Sequence, residues 1–113
     1  MSAPEDFAAR VGADCIWTVG GASAIAGTYT GREAVLGFFR RLHELTNGTY
    51  SVEPLWELDA GTRGAAYYRA RGSRPDGRAI DLDQAVVYEL DGGQWSVVRA
   101  LPFDQGVFDA FWA

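Results

Sequence analysis

The stretch GAAYYRARGSRPDGRAIDLDQAVVYEL, residues 64–90, decides the fold. Its side chains alternate with a period of two on either side of Pro75-Asp76-Gly77, the pattern of two strands joined by a tight turn. A turn at that point sets Arg69 opposite Asp83 and Arg71 opposite Asp81, so two opposite-charge pairs line one face. The other face then pairs Ala66 with Val86, Tyr68 with Gln84 and Ala70 with Leu82.

The same period continues outward on both sides. Strands are predicted at 49–59, 64–73, 79–90 and 94–103, with Asp59-Ala60-Gly61 and Asp91-Gly92-Gly93 as the flanking turns. The first hairpin places Trp56 opposite Ala66, with Val52, Trp56 and Leu58 inward and Ser51, Glu53, Glu57 and Asp59 outward. The last hairpin, set by Leu90 opposite Gln94, pairs Tyr88 with Ser96, Val86 with Val98 and Gln84 with Ala100. Neighbouring strands are antiparallel and make a curved sheet. Its inner face mixes large aromatics with alanines and carries Tyr68, Gln84, Tyr88 and Ser96 as isolated polar groups. That composition predicts an apolar pocket for a small organic molecule. The alternative is a filled core in which the hydroxyls satisfy one another. The outer face is polar near Arg69, Arg71, Asp81 and Asp83 but apolar at Val87, Trp95, Val97, Leu101 and Phe103, which predicts a homodimer through that surface.

Ahead of the sheet, Pro4 to Val11 reads as a short helix with acids in its first turn and Gly12 beyond its end. Cys15 to Val19 is a strand, and Gly20 to Gly31 is too rich in Gly and Ala to be regular. The main helix runs from Arg32 to Thr46, because Val35, Phe38, Phe39, Leu42 and Leu45 recur at helical spacing before the stop at Asn47-Gly48. After the sheet, Asp104 caps a last helix that carries Val107, Phe108, Phe111 and Trp112.

A chain of 113 residues with 48% apolar content fits one α+β domain able to bury a core without disulfides. All ten basic residues are Arg against fifteen acids, a net charge of -5 with no basic run, so nucleic acid is an unsuited partner. No apolar run approaches membrane-spanning length and no leader-like segment opens the chain, which predicts a cytoplasmic protein. Cys15 in the run Cys15-Ile16-Trp17 reads as a buried, inert thiol. One His and one Cys without clustered partners predict no metal and no cofactor.

Several strings resemble the SnoaL-like branch of the nuclear-transport-factor-two-like superfamily, which includes ketosteroid isomerases and limonene epoxide hydrolases. They are Ile16-Trp17 before a Gly-rich loop, Ala26-Gly27-Thr28-Tyr29 with Gly31-Arg32-Glu33-Ala34-Val35 and Phe38-Phe39, Asn47-Gly48-Thr49-Tyr50, Asp91-Gly92-Gly93, and Asp104-Gln105 with Phe108-Asp109-Ala110-Phe111-Trp112. The resemblance spans residues 13 to 113 and implies one cone-shaped α+β barrel with a curved sheet wrapped around helices and a cavity. Members begin with a long helix, of which only Pro4 to Val11 is left here. The isomerases' two acids fall on Val19 and on Val86 or Ala85, and the epoxide hydrolases' Arg-x-Asp motif has only Arg69-Ala70-Arg71 to match it.

Two functions follow from the resemblance. One is a cofactor-independent cyclase or isomerase acting on a polyketide-like carbonyl compound. In that reading Asp104 moves the proton and Tyr68, Gln84 or Tyr88 stabilises the oxyanion. The other is a small-molecule binding protein using the same cavity. In both, Trp17, Tyr29, Phe39, Trp56, Val86, Ser96 and Val98 shape the pocket. Asp104 has helix capping as its competing role, and His43 lies on a half-exposed helix surface.

Overall fold

A computed structural model of the chain describes residues 5–113. The elements are α1 (Glu5–Ala8), β1 (Val11–Val19), β2 (Gly27–Thr30), α2 (Arg32–Leu45), β3 (Ser51–Asp59), β4 (Arg63–Ser73), β5 (Ala79–Asp91), β6 (Gln94–Pro102) and α3 (Gln105–Trp112). The six strands form one curved, unclosed sheet in the order β2-β1-β6-β5-β4-β3, and its fold is α+β of the predicted cone type.

The central hairpin has the register that its charges predict, Arg69 opposite Asp83 and Arg71 opposite Asp81, with Ala66, Tyr68 and Ala70 facing Val86, Gln84 and Leu82. Helix α2 buries Val35, Phe38, Phe39 and Leu42 along one stripe. It stops where Asn47 and Gly48 turn left-handed, with φ of 53° and 78°, and the Gly48 N–H reaches the His43 carbonyl at 2.7 Å. The apolar stripe of α3 buries Phe108, Phe111 and Trp112.

Four features depart from the sequence-based expectation. Helix α1 ends at Ala8, and Val11 already pairs with Trp95; the predicted helix start at Pro4 lies outside the described residues. Gly12 lets β1 approach β6 here, since a Cβ on it would stand 3.0 Å from the Trp95 carbonyl oxygen. Within the predicted loop, Gly27–Thr30 pairs with β1 as a strand too short to show a period. Strand β1 also runs parallel to β6, so the sheet is not wholly antiparallel.

The fourth departure is a pair of bulges. In β3 the register shifts between Pro54 and Trp56, so Trp56 pairs with Tyr67 and Glu57 with Ala66. Proline has no N–H to give the ladder, which an edge strand tolerates at the cost of regular pairing. One extra residue reverses the faces beyond it. Trp56 and Leu58 therefore project outward, 52% and 62% exposed, and Glu57 turns toward the inner side. In β5–β6 the register shifts between Glu89 and Leu90, so Tyr88 pairs with Val98, Val86 with Ala100 and Gln84 with Pro102. Trp95 is consequently fully buried and is removed from the predicted outer patch, whereas Val87, Val97, Leu101 and Phe103 stay exposed. Ser96 leaves the inner face, and its hydroxyl donates to the Glu89 carbonyl at 3.2 Å.

Candidate functional site

Inside the cone, between the sheet and helices α2 and α3, lies a cavity of about 30 Å³. Space of that size takes a water molecule or two, against about 300–1,000 Å³ for sites that hold drug-sized ligands. Of the predicted pocket residues, Trp17, Phe39, Tyr68 and Gln84 line it, joined by Phe7, Tyr50, Phe108 and Trp112 among others.

The polar groups of this wall are unequal in sign. The Tyr68 hydroxyl donates to Gln84 Oε1 at 3.0 Å, which orients the buried amide and leaves its Nε2 end over. Gln84 Nε2, Trp17 Nε1 and Trp112 Nε1 are all buried, and none has an acceptor among the described residues. Three unmet N–H donors on residues that line one apolar cavity, two from the sheet and one from α3, is an unusual arrangement, because buried donors are normally paired. Among the described residues, the ionisable groups lining the cavity are the phenols of Tyr50 and Tyr68. Burial pushes both well above the ordinary tyrosine value, with Tyr50 adding to the effect on Tyr68. Both stay protonated and neutral.

Phe7 of α1 closes one side. Its ring centroid lies 5.3 Å from Trp95, 5.4 Å from Tyr68 in an edge-on contact, and 6.5 Å from Trp17. Just beyond α1, the Arg10 guanidinium donates to both carboxylate oxygens of Glu57, at 2.6 and 2.8 Å. It also lies over the Trp95 ring at 4.5 Å. Tyr88 stacks on Trp95 and donates its hydroxyl to Glu57 at 2.6 Å. Hydrogen bonds from Arg10 chiefly hold the Glu57 carboxyl below its ordinary value. Burial first, and then the hydrogen bond to Glu57, raise the Tyr88 phenol. The bulge after Pro54 brings this carboxylate to the inner side, and Pro54 is the sequence signal that foretells such a break.

The remaining predicted residues lie elsewhere. Tyr88 belongs to the Arg10–Glu57 cluster, not to the cavity wall. Val86 and Val98 are fully buried without lining the cavity. Tyr29 packs on Phe38 at 4.5 Å and donates to the Ile25 carbonyl. Trp56 lies outside, stacked on Tyr67 with centroids 4.9 Å apart, and Ser96 sits in the β6 bulge. Asp104 is exposed, and its Oδ1 accepts from the Val107 N–H at 3.0 Å as the cap of α3. Cys15 is fully buried, and burial raises its thiol. Among the described residues no group of three His, Cys, Asp or Glu side chains is placed to hold a metal.

A family model described as a SnoaL-like domain matches residues 3–98. No curated protein matches the chain. Among solved structures, Bal32a from a soil-derived mobile gene cassette is 26% identical, with a TM-score of 0.88 over 96% of this chain and 89% of its own. A protein of unknown function with a cystatin-like fold from Xanthomonas campestris is 24% identical, with a TM-score of 0.83 over 92% of this chain and 81% of its own. A protein of ketosteroid-isomerase-like fold from Catenulispora acidiphila, in complex with trimethylamine, is 18% identical, with a TM-score of 0.73 over 88% of this chain and 75% of its own.

Proposed function

The chain belongs to the SnoaL-like domain family, and on that premise we propose that it binds a small, largely apolar molecule inside the cone. The observation that carries this reading is the set of three buried N–H donors, from the cavity-lining residues Trp17, Gln84 and Trp112, left without acceptors among the described residues. Each unmet donor costs about 1–3 kcal/mol, which a ligand acceptor recovers on binding. Binding is favoured over turnover because, among the described residues, the wall's ionisable groups are two neutral phenols. A general acid or base works best with a pKa near the working pH, and neither phenol is near it. Asp104, the acid that the cyclase or isomerase reading needs, spends one oxygen on the α3 cap at the surface.

The test is titration of the protein with acetophenone while the indole N–H resonances of Trp17 and Trp112 are followed. Saturable shifts of both are expected. Indoles unmoved by acetophenone, ethylbenzene and benzoate alike, in the natural protein and in Phe7→Ala, would overturn the reading.

The outer sheet face supports self-association as a homodimer. Val87, Val97 and Leu101 are each at least 40% exposed, and Arg63, Arg99 and Glu89 around them form no ion pair among the described residues. A two-fold copy covers the apolar band and supplies charges of the opposite sign.

A further inference from the structure

We propose that the ligand is a neutral, single-ring aromatic compound bearing a carbonyl or similar acceptor oxygen, and that it binds by taking the place of the Phe7 ring. This rests on the reading of the cone as a binding site and narrows what the cone accepts.

The size argument comes first. A space of about 30 Å³ does not admit a benzene ring, whereas an apolar cavity of about 150 Å³ does. Phe7 is itself a benzene ring, in aromatic contact with Tyr68, Trp17 and Trp95, and it lines the cavity. Its withdrawal opens a space of one ring plus small substituents. The ring is carried near the C-terminal end of α1, whose described residues are Glu5–Ala8, and helix ends fray readily. Phe7 is also partly exposed, so its contacts are those of a side chain that enters from the mouth. The Arg10–Glu57 pair anchors the chain just after the helix, so Phe7 can swing out without β1 leaving the sheet.

Polarity fixes the chemistry. The unmet buried groups of the residues lining the cavity are donors, and the one amide oxygen there, Gln84 Oε1, already accepts from Tyr68. A ligand must therefore bring acceptors. It must also be neutral, because among the described residues no cationic side chain lines the cavity and a buried carboxylate without a partner is costly. Ring faces of Trp17 and Tyr68, freed of Phe7, are suited to an aromatic ring in offset or edge-on contact.

The experiment compares acetophenone, its near-isostere ethylbenzene, and benzoate against the natural protein, Phe7→Ala and the milder Phe7→Leu, with folding checked by circular dichroism. Acetophenone is expected to bind about tenfold more tightly than ethylbenzene, the scale of one hydrogen bond, and benzoate more weakly than either. Phe7→Ala is expected to tighten acetophenone at least about tenfold by removing the competitor ring, with Phe7→Leu intermediate. Equal affinities for acetophenone and ethylbenzene, or a benzoate affinity matching acetophenone, overturn the ligand class while leaving the cone a binding site. Binding that is no tighter in either Phe7 variant overturns the displacement. Failure of all three compounds to bind any variant overturns the binding reading itself.

Discussion

Arg10 and Glu57, 47 positions apart in sequence, meet in a two-point ion pair with both guanidinium nitrogens within 2.8 Å of the carboxylate oxygens. The pair ties the segment after α1 to edge strand β3 beside the mouth of the cone. Tyr88 adds a third hydrogen bond to the same carboxylate. Glu57 is thereby committed as an acceptor and stays ionised.

Because Glu57 has its pKa lowered in the folded state, its contribution to stability is fully present above the unfolded value near 4.5 and is lost as pH falls through the folded value. Both partners are more than one third exposed, which limits the pair to about 0–1 kcal/mol. Glu57→Gln is expected to unfold at slightly lower urea at pH 7 and to show a flatter decline in stability below pH 4.5 than the natural protein. Parallel declines in the two proteins would show that the pair contributes nothing to the acid limb.

Gly64 faces the same cluster from β4. A Cβ there would stand 2.5 Å from the Tyr88 hydroxyl and 2.6 Å from the Leu58 carbonyl oxygen. The carbonyl is backbone in a paired strand, so Gly64→Ala displaces either the strand or the Tyr88 ring, at about 1–3 kcal/mol. Urea unfolding measures the loss, and a midpoint unchanged from the natural protein counts against the crowding. Tyr88→Phe in the Gly64→Ala background should recover part of it.

How far the sequence reveals this fold depends on where its period is unbroken. Residues 64–90 show both the strands and their register, because Arg69, Arg71, Asp81 and Asp83 select one alignment by charge. Helix α2 and the Asp104 cap are legible for similarly local reasons. The bulges are not, since one unpaired residue reverses every later side chain without altering the composition. That is why Trp56 and Trp95 exchange faces relative to expectation, and why Glu57 was hidden as a site residue. The cavity's size was equally hidden. It depends on the Phe7 ring, placed by α1, whose described residues Glu5–Ala8 are too few to carry a periodic signal. The donor imbalance lies deeper still, because it needs the Tyr68-to-Gln84 bond that orients the amide.

Asp104 separates capping from chemistry by substitution. Asp104→Ala removes the bond to the Val107 N–H and is expected to cost about 0.5–2 kcal/mol in denaturant unfolding. Asn accepts the same bond, so Asp104→Asn is expected to fall within a few tenths of a kcal/mol of the natural protein. If the Asn variant loses as much stability as the Ala variant, the role of this carboxylate at the helix end rests on its charge and not on the cap.

The outer face supplies the last prediction, in which the two sides of β6 give opposite outcomes. Val97 is 40% exposed on the outer surface, and Trp95 is fully buried two residues away. If the apolar band of Val87, Val97 and Leu101 joins two copies, Val97→Asp places a charge against an apolar partner surface. It should shift the protein to a monomer in sedimentation while its folded spectrum persists. Trp95→Asp, by contrast, buries an unpaired charge in the core and should unfold the chain without any folded monomer appearing. A natural protein that sediments as a monomer at high concentration would remove the dimer from consideration. A Val97→Asp protein that stays dimeric would move the interface to another surface, with the exposed Trp56 and Phe103, which flank the half-buried Tyr67 ring, next to be substituted.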